Sequence, residues 1–594
     1  MIVAAVLFIV LSGARRANEY DITRDIRGNL ESPARWDYTD TSAYPMHPDF
    51  HGWSGDTARA LHNLRSQLAD ILDNGARANV SAKIIFFDAN DSVHPIYALN
   101  PDASVLPASI EKLFTSSTTL WALGSKYAFT TKLDLAPGAS VNGSTVDGNL
   151  YLRPSGDPTL RSSDLDQLAD QLRDKGIRTI QGNIISDLDG ENPLTEQAKA
   201  YMASQQTGGI SVHDSIVGDN GMLSSMDTST MNTDSSEEDD EDLEAGALSS
   251  FFPNFSLDRN ILTVTVAGGY TKGSHASVRV YPPIASVVVA NTAISSAPAS
   301  FHIRRVGRGR HRRIIRTMSR GVVTLRVNSS GGPMDPEQTI HVSGAIPARS
   351  QRTYSIAIRN VPLAMAALMK WHLQRAGIAV TGEPRVDRAP ANRVLQTLAE
   401  KKTSLVDLLE YMNKRSDNYL AESMFRKLST IAQVAANAPD DRTRKLMRSW
   451  LQVCNVDGSA CTFIDGSGLS KADRVTANTV VDLLVAIKQR GMFPLMTHTM
   501  SVAGYDGTLR HRMIGTAAQY NAHGKTGTLD YVTVLAGYVL TGDRQLAAYF
   551  ITQQGFRGSP WPYRQQQDKV VEALANFKYA DYQNSATGAE QGSR

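Results

Sequence analysis

Three short segments hold serine and lysine side chains whose types and spacing could do chemistry. In the first, Ser109-Ile110-Glu111-Lys112, the serine and the lysine are three positions apart. A serine hydroxyl is a weak nucleophile near neutral pH and needs a base within hydrogen-bonding reach. Residues three apart project from one face of a helix, so this spacing suits proton transfer from Ser109 to Lys112. The pair alone is a weak signal, because a helix-capping serine followed by an exposed lysine gives the same pattern.

The other two segments lie far downstream. Ser416-Asp417-Asn418 sits between two helical patterns, where a helix cap or turn is the alternative interpretation. Lys525-Thr526-Gly527-Thr528 precedes the apolar run 532–540, where a tight turn entering a strand is the alternative. The ordered set SxxK, SDN and KTG is much rarer than any of its parts. It is the pattern of penicillin-binding proteins and β-lactamases, and it predicts serine acyl transfer.

The hydrophobic pattern predicts how the first segment is positioned. Pro107 precedes an apolar helical pattern that stops at Gly124, which places Ser109 at the start of a buried helix. From residue 127 the chain changes to short strands and turns, with one helix near 164–175. We therefore expect an inserted, strand-rich region after the SxxK helix.

The second half of the chain is helix-rich and ends in two apolar strands. Helices are predicted over 362–375, 405–414, 419–431, 442–453, 477–490 and 566–577, and strands over 532–540 and 546–552. Helices followed by an antiparallel hairpin indicate an α+β fold. The predicted catalytic domain is an antiparallel sheet flanked by helices, interrupted by one or two inserted strand-rich domains.

At 594 residues the chain is long enough for two or three domains. Residues 1–14 are an apolar run ending in small residues, as in a signal peptide, although no lysine or arginine precedes the run. The expected divisions are an export segment over 1–14, a first catalytic part over 55–130, the inserted region over 131–355, a second catalytic part with SDN and KTG over 356–580, and a flexible tail over 581–594.

Charge excludes some classes of partner. Lys and Arg number 61 against 59 Asp and Glu, a net charge of +2, which indicates no polyanionic partner. The acidic segment 226–246 cannot bury enough apolar area to fold and is predicted to be a disordered surface loop. A basic cluster follows, formed by Arg304, Arg305, Arg308, Arg310, Arg312, Arg313, Arg316 and Arg320. It lacks interleaved aromatic residues, so nucleic-acid binding is not expected. A solvated hairpin is favoured over contact with an anionic polymer, with lipid head groups or with the acidic loop itself.

Two other chemistries find no support. Gly524-Lys525-Thr526 is not a phosphate-binding loop, because that motif needs glycine where the chain has Gln519. Cys454 and Cys461 lack a second pair of metal ligands, so no metal is expected. They would close a short disulfide loop in an exported protein or remain two free thiols, and the sequence leaves both alternatives open. No cofactor is predicted.

Longer stretches carry a resemblance to one family. The chain resembles the D-alanyl-D-alanine carboxypeptidase/endopeptidase family, the class C low-molecular-mass penicillin-binding proteins, from residue 60 to residue 577. The matching segments are PASIEKLFTSSTTLWALG, GNLYLRPSGDPTL, IQGNIISD, LDRNILTVTV, VSGAIP, RAGIAVTGEP, FIDGSGLSKADRVT, VAGYDGTLRHRM and AHGKTGTLDYVTVLAGYV. The interval from Lys112 to Ser416 takes up half of the chain, far more than in a compact β-lactamase. No ExxLN run follows Ser416, which disfavours rapid antibiotic hydrolysis.

The resemblance implies roles for the residues that carry the reaction. Ser109 would attack the carbonyl of a D-Ala-D-Ala bond or D-amino-acid cross-link, with Lys112 as general base and Lys525 as the second cation that favours its neutral form. Ser416 would relay a proton to the leaving amine. Backbone N–H groups of Ser109 and Thr528 would bind the oxyanion.

It also implies roles in substrate binding. Asn418 would hydrogen-bond the acyl side-chain amide, and Lys525 with Thr526 would hold the terminal carboxylate. Asp258 matches a position that helps to bind the stem peptide in some relatives, although an ordinary turn aspartate before a strand is an equally good interpretation. The family signature over 465–470 is assigned no direct chemistry.

These implications define the expected function and setting. The leading hypothesis is a serine-type D-Ala-D-Ala carboxypeptidase/endopeptidase that acts on peptidoglycan peptides and is acylated by penicillins. A β-lactamase-like esterase or amidase is one alternative, and a non-catalytic β-lactam-sensing or cell-wall-binding protein is another. A periplasmic or other extracytoplasmic location is expected, and a peripheral association with membrane or wall is left open, as is the oligomeric state.

Overall fold

The computed structural model describes residues 55–73, 77–88, 90–188, 255–298, 300–306, 313–319, 321–390, 395–431 and 439–578. The predictions for 1–14, 226–246 and 581–594 lie outside the described residues. The described residues divide into two compact units. Unit 1 is drawn from Met1–Ser117, Val406–Asp417 and Arg448–Arg594, and unit 2 from Thr118–Leu405 and Asn418–Met447.

The predicted helices are present, with ends that shift by at most five residues, and the structure adds a short helix over 493–499. They are α1 Gly55–Leu72, α2 Glu111–Leu123, α3 Ser162–Asp174, α4 Val361–Arg375, α5 Leu405–Arg415, α6 Asn418–Ile431, α7 Pro439–Val453, α8 Ala477–Gln489, α9 Phe493–Thr499 and α10 Trp561–Asn576. Gly124 ends α2 in a left-handed conformation with φ of 83°. Glycine adopts this conformation without a steric penalty, which explains why the helix stops there.

The strands fall into one large sheet and several small ones. They are β1 Asn79–Phe87, β2 Val93–Leu99, β3 Ala128–Leu135, β4 Ser140–Asn142, β5 Thr145–Asp147, β6 Leu150–Pro154, β7 Thr179–Gln181, β8 Ile184–Asp187, β9 Ile261–Ala267, β10 Ser277–Tyr281, β11 Val287–Asn291, β12 Ile294–Ser296, β13 Ser300–Val306, β14 Arg313–Ser319, β15 Arg326–Ser330, β16 Gln338–Ser343, β17 Ala345–Pro347, β18 Gln351–Ala357, β19 Ala379–Val380, β20 Pro384–Asp387, β21 Thr397–Ser404, β22 Ser501–Val502, β23 His523–Leu529, β24 Val532–Leu540 and β25 Leu546–Gln554.

Unit 1 is built on a six-stranded antiparallel sheet in the order β2-β1-β25-β24-β23-β22. All nine residues of β24, the run VTVLAGYVL, are buried. Leu535 packs in a core with Leu68 of α1 and Leu574 of α10, whereas Tyr538 donates a hydrogen bond from its hydroxyl to the Leu484 carbonyl of α8 at 2.7 Å. Side chains alternate between the faces of a strand, so helices cover both faces of this sheet. The predicted α+β class, an antiparallel sheet flanked by helices, is confirmed.

Unit 2 contains the strand-rich part of the chain. Its larger sheets run in the orders β20-β8-β6-β3-β21 and β19-β7-β5-β4, and β9, β16, β12 and β13 lie in smaller sheets. Leu165 and Leu168 of α3 pack with Met365 and Leu368 of α4 in its core. The amphipathic spacing of α3 and the nearly continuous apolar run of α4 explain this arrangement, because both helices bury a wide face.

The division into units differs from the expected domain limits at both boundaries, since residues 118–130 and 356–405 belong to unit 2. The prediction assigns 356–405 to the second catalytic part, but α4 contacts β8 and β20 within unit 2, and β21 pairs with β3 there. The helical pattern of α4 carries no information on which sheet it covers. Unit 2 also holds 418–447, so the chain passes between the units more often than one insertion would require.

Three features predicted outside the motifs have a defined outcome. The arginine-rich segment forms the predicted hairpin, because β13 pairs antiparallel with β14. Arg308, Arg310, Arg312 and Arg320 lie outside the described residues.

Cys454 and Cys461 are buried free thiols, and burial raises the pKa of Cys454 to about 12. Across the part of the chain that the structure describes, no helix is both long and apolar enough to cross a membrane.

The contact between β23 and β24 yields a prediction about stability. A Cβ at Gly537 would overlap the His523 carbonyl and lie 2.7 Å from Gly524 Cα, both of which are backbone atoms in the paired strand. We expect Gly537→Ala to lower the free energy of unfolding by about 3 kcal/mol, since neither contact can move aside. Gly542→Ala is the control, because its Cβ would meet only the flexible Lys578 side chain, and we expect a change within about 0.5 kcal/mol. Thermal unfolding of both variants measures the difference, and equal midpoints would contradict the prediction.

Candidate active site

The serine of the first motif lies in a tight turn at the entrance to a buried helix. Ala108–Ile110 form a single 3-10 turn, and α2 begins at the next residue, so Ser109 directly precedes the helix. Ala108 has a φ of 45°, a strained left-handed value for a residue with a side chain. The segment before the turn is fixed by Gln554 of β25, whose side-chain amide accepts from the Leu106 N–H and donates to the Leu106 carbonyl.

Lys112 is fully buried one turn further along and points back at the serine. Its Nζ lies 3.0 Å from Ser109 Oγ and donates to the Ser467 carbonyl at 2.9 Å. Asp465 holds the loop around Ser467 by accepting the N–H groups of Ser467, Gly468 and Ser470. A carbonyl of this loop thus positions the Lys112 amine, and the prediction that 465–470 takes no direct part in the chemistry stays a prediction.

Two glycines allow the backbone to approach the nucleophile closely. A Cβ at Gly527 would lie 3.0 Å from the Ser109 nitrogen and 3.1 Å from the Pro107 carbonyl, and a Cβ at Gly468 would overlap the Ala108 carbonyl. Strand β23 thus passes beside the Ser109 N–H with no room for a side chain. This places the end of the KTG segment where its backbone can act together with that N–H group.

The serine of the second motif occupies the position that follows a helix end. The Asp417 N–H donates to the Met412 carbonyl at 2.9 Å and the Ser416 N–H donates to the Asn413 carbonyl at 3.3 Å, which is the hydrogen-bond pattern of a Schellman motif at the end of α5. Ser416 has a φ of 58° in the position where glycine is usual. A non-glycine residue there is unfavourable by about 1 kcal/mol or more.

Lys525 connects the second and third motifs. Its Nζ donates to Ser416 Oγ at 2.8 Å and to the Thr526 carbonyl at 2.9 Å, and its side chain is fully buried. Burial, together with the positive charge of Lys112, holds the pKa of Lys525 well below its usual range. The repulsion is mutual, so the doubly protonated state of the two lysines is disfavoured. The amine whose pKa is lowered contacts Ser416, and the neutral state of Lys112 beside Ser109 stays a prediction.

The third motif lies on a partly open strand edge. Strand β23 pairs with β24 along its whole length, but β22 reaches only His523 and Gly524 on the other side. From Lys525 onward, this edge of β23 has no strand partner among the described residues. Thr526 and Thr528 project from the same face, the first half-buried and the second exposed. An extended peptide could add to such an edge by main-chain hydrogen bonds.

Lys414, Glu410 and Asp506 form a largely buried network of ion pairs next to the SDN segment. Lys414, two residues before Ser416, donates to Glu410 at 2.8 Å and to Asp506 at 2.7 Å, and Asp506 also accepts from the Val502 N–H. Burial lowers the pKa of Lys414, but the two carboxylates together raise it above its usual value. The ion pairs therefore keep Lys414 charged and fix the end of α5.

The turn that contains Asp506 also contacts the KTG strand, through Thr508. Thr526 donates from its hydroxyl to Thr508 Oγ1 at 2.8 Å, and the Thr508 N–H donates to Ser501 Oγ at 3.1 Å. Gly507 lies against the Lys414 carbonyl, where a Cβ would come within 2.8 Å. The turn over 506–508 is thus in contact with both motif segments.

Two of the predicted site residues, Asn418 and Asp258, belong to the other unit and are described within it. Asn418 begins α6 and belongs to unit 2, where it is buried. Asp258 also belongs to unit 2, in a left-handed turn before β9, and it accepts a hydrogen bond from the Ser162 N–H at 3.2 Å. Burial raises the pKa of Asp258 to about 6. The turn interpretation describes its surroundings, and its role in binding a stem peptide stays a prediction.

Several residues in this site carry no motif signal of their own. Ser467 contacts Lys112 and Thr508 contacts Thr526, whereas Asp506 pairs with Lys414, two residues before the SDN motif. The signal available in the sequence was the occurrence of Ser467, Asp506 and Thr508 in FIDGSGLSKADRVT and VAGYDGTLRHRM, which supported the resemblance without indicating a role. The clustered groups comprise a nucleophile, an adjacent amine, a second amine linked to a hydroxyl, and converging backbone donors. This set can perform acyl transfer.

The Lys414–Asp506 pair yields a prediction about activity. We expect Asp506→Asn to slow acylation of Ser109 about tenfold and to lower the free energy of unfolding by about 3 kcal/mol, because a buried lysine loses one of its two carboxylates beside Ser416. Asp482→Asn is the control, since it breaks the partly exposed Lys83–Asp482 pair of unit 1, which is remote from the motifs in sequence. We expect this variant to lower the free energy of unfolding by less than about 1 kcal/mol and to leave the acylation rate unchanged. Stopped-flow acylation and urea unfolding measure both effects, and equal acylation rates would exclude the positioning role.

His523 yields a prediction about pH. It lies two residues before Lys525 with Nδ1 3.1 Å from the Thr497 carbonyl, and burial lowers its pKa to about 4. Between pH 4 and the ordinary histidine value, the unfolded chain binds a proton that the folded chain does not, so stability falls as the pH falls through this window. Between pH 7 and pH 5 the loss due to His523 is about 2 kcal/mol. We expect His523→Gln to remove it, and an unchanged pH slope in unfolding experiments would contradict the assignment.

The family comparison agrees with the motifs. The model of the D-Ala-D-Ala carboxypeptidase 3 (S13) family matches residues 64–192 and 330–577. The D-alanyl-D-alanine carboxypeptidase of an Actinomadura species is 27% identical over 532 residues, which cover 87% of this chain and 85% of that protein. The D-alanyl-D-alanine carboxypeptidase DacB of Haemophilus influenzae is 24% identical over 465 residues, covering 76% of this chain and 80% of that protein.

A solved structure shows the same fold. Penicillin binding protein 4 (dacB) from Haemophilus influenzae matches with a TM-score of 0.55 and 21% sequence identity, and the match covers 87% of this chain and 100% of that one. The resemblance inferred from the sequence motifs is confirmed. Since the family model matches more than half of its residues, the chain belongs to the D-Ala-D-Ala carboxypeptidase 3 (S13) family.

Proposed function

We propose that this protein is a penicillin-sensitive serine peptidase that hydrolyses the D-Ala-D-Ala bond of peptidoglycan stem peptides through an acyl-enzyme. The observation that carries the proposal is the placement of Ser109 Oγ 3.0 Å from Lys112 Nζ, beside a strand that also carries the Lys525–Ser416 pair. Membership in the S13 family supports the peptide substrate.

Acylation begins with proton transfer from Ser109. Neutral Lys112 accepts the hydroxyl proton while Ser109 Oγ attacks the carbonyl carbon of the penultimate D-alanine. The carbonyl oxygen then carries the negative charge. The N–H groups of Ser109 and Thr528 are the proposed donors to it, and the lack of a side chain at Gly527 supports this, because it allows the strand to reach the serine. Each such donor contributes about 3–4 kcal/mol to transition-state stabilisation.

Collapse of the tetrahedral intermediate breaks the peptide C–N bond. The leaving amine takes a proton from the Ser416 hydroxyl, which is resupplied by an amine of the lysine pair, and D-alanine departs. The 2.8 Å contact between Lys525 Nζ and Ser416 Oγ supports this relay. The product is an ester between Ser109 and the shortened stem peptide. Water then attacks the ester carbonyl while Lys112 accepts a proton from it. Collapse of the second tetrahedral intermediate breaks the bond to Ser109 Oγ, Lys112 returns the proton to that oxygen, and the acid is released.

Binding of the substrate uses the open edge of β23. The stem peptide would lie along residues 526–528 as an additional strand, with its terminal carboxylate near Lys525 and Thr526. Asn418 would hydrogen-bond the acyl side-chain amide, and Asp258 would contact the stem peptide further along. A β-lactam would acylate the same serine because its amide carbonyl replaces the scissile bond.

The setting follows from the substrate. Peptidoglycan lies outside the cytoplasmic membrane, so we propose a periplasmic or other extracytoplasmic location. The basic hairpin of β13 and β14 contributes Arg304, Arg305, Arg313 and Arg316. We include peripheral contact with the wall or the membrane surface in the proposal, because anionic polymers and lipid head groups attract such a stripe.

Covalent labelling tests the nucleophile. We expect a fluorescent penicillin to label the protein and Ser109→Ala to abolish labelling, because the attacking oxygen is gone. Ser429→Ala is the matched control, since that buried hydroxyl donates only to the Arg426 carbonyl of its own helix. Labelling of the Ser109→Ala variant at the normal rate would contradict the assignment of Ser109 as the nucleophile.

Peptide turnover separates the proposal from its alternatives. The wild type is expected to release D-alanine steadily from a pentapeptide ending in D-Ala-D-Ala, and Lys112→Met should slow acylation by about three orders of magnitude. A protein that is labelled but releases no D-alanine would be a sensor or binding protein. One that hydrolyses penicillin rapidly and spares the peptide would be a β-lactamase-like hydrolase.

A further inference from the structure

We propose that Arg564 is a specificity-determining residue that binds the free α-carboxylate on the leaving side of the scissile bond. The proposal deepens the proposed function and rests on it for the identity of the peptide substrate. It concerns one class of ligand, peptides and lactams that carry a carboxylate at that position, as opposed to their esters and amides.

The position of Arg564 connects the C-terminal helix to the KTG strand. Its guanidinium, on the first turn of α10, donates to Thr528 Oγ1 at 2.9 Å. Thr528 is exposed and shares a face of β23 with Thr526. Gly527 between them passes beside the Ser109 nitrogen. The guanidinium therefore lies at the Thr528 end of the 526–528 edge along which the substrate is proposed to bind, on the face of β23 that also carries the Thr526 hydroxyl.

The charges around Arg564 leave a positive excess at this edge. Asp568, one turn further along α10, is paired with Arg512, whose Nε donates to Asp568 Oδ1 at 2.8 Å. Among the ion pairs between described residues, none includes Arg564. Burial and the nearby Arg512 lower the pKa of Arg564 below its usual value, which is high enough that the group remains a cation. Arg512 and Arg564 thus have one carboxylate, that of Asp568, near them both. An anionic ligand would balance the charge of Arg564.

The chemistry of a guanidinium fits a carboxylate better than any other group near this edge. Its planar fork can donate two parallel hydrogen bonds to one carboxylate, and such charge-assisted bonds are strong where water is partly excluded. Arg564 is half-buried, so its charge is less screened than that of a surface arginine. Lys525 and Thr526 would bind the inner side of the same carboxylate, and Arg564 would bind it from the solvent side.

The test compares a carboxylate with its ester on the same enzyme. We expect the wild type to be acylated by benzylpenicillin much faster than by benzylpenicillin methyl ester. Arg564→Gln should slow acylation by the acid about tenfold, the effect of losing a hydrogen bond to a charged group, and leave the ester rate within about twofold. The preference for the acid should therefore shrink about tenfold. An equal loss on both ligands, or no loss on either, would overturn the proposal.

Two further variants distinguish charge recognition from other effects. Lys569→Gln removes one positive charge from an exposed position of the same helix and is expected to change neither rate. Thr528→Val removes the hydroxyl that accepts from Arg564. If Arg564 acts only by holding that hydroxyl, Arg564→Gln will have no further effect in the Thr528→Val background. We expect the preference for the acid to fall about tenfold there as well. Matching thermal midpoints check that the fold is intact.

The same design separates failure of this proposal from failure of the peptidase function. A wild type that is labelled by penicillin but releases no D-alanine from a pentapeptide would contradict the proposed function, and the comparison of acid with ester would still decide the role of Arg564. Where D-alanine is released, the C-terminally amidated peptide replaces the ester. Its turnover is expected to be insensitive to Arg564→Gln.

Discussion

Two lysine side chains, Lys112 and Lys525, are fully buried in unit 1, and the rest of the site is arranged around them. An isolated buried ammonium group is unfavourable by several kcal/mol, and a second one nearby adds repulsion. The structure offsets this with specific acceptors, namely the Ser467 carbonyl and Ser109 hydroxyl for Lys112, and the Ser416 hydroxyl and Thr526 carbonyl for Lys525. These acceptors are neutral. Burial and the positive charge of Lys112 together hold the pKa of Lys525 well below its usual range, which disfavours two charged amines in the site.

The same site stores strain in its backbone. Ala108 and Ser416 both have left-handed φ values, one directly before the nucleophile and the other at the end of α5. Such residues persist only where their surroundings hold them. Strand β23 and the 465–470 loop hold the first, and Lys414 with its two carboxylates holds the second. The large sheet, covered by helices on both faces, provides the rigid support against which these contacts are made.

The sequence predicted the local part of this arrangement well and the nonlocal part poorly. The pattern from Pro107 to Gly124 predicted the buried helix within a few residues, because periodicity and a helix-stopping glycine are local signals. The order of the three motifs was enough to indicate the family. The boundary expected at 356 differs from the observed division, since amphipathic spacing does not reveal which sheet α4 covers. The catalytic roles assigned to Ser109, Lys112 and Ser416 stay predictions until the labelling and turnover experiments are done.

The residues that the sequence did not reveal belong largely to one segment, 501–512. Asp506 pairs with Lys414 before the SDN motif, Thr508 accepts from Thr526 of the KTG strand, and Arg512 neutralises Asp568 on the helix that carries Arg564. The segment contains neither the proposed nucleophile nor the proposed base. Its three contacts are with residues on the elements that carry Ser416, Lys525 and Arg564, the groups proposed to handle the leaving amine and its carboxylate. A displacement of this segment would therefore disturb proton relay and carboxylate binding together, whereas the contact between Ser109 and Lys112 depends on the separate 465–470 loop. Nucleophile activation and leaving-group recognition are thus supported by different segments of the same unit.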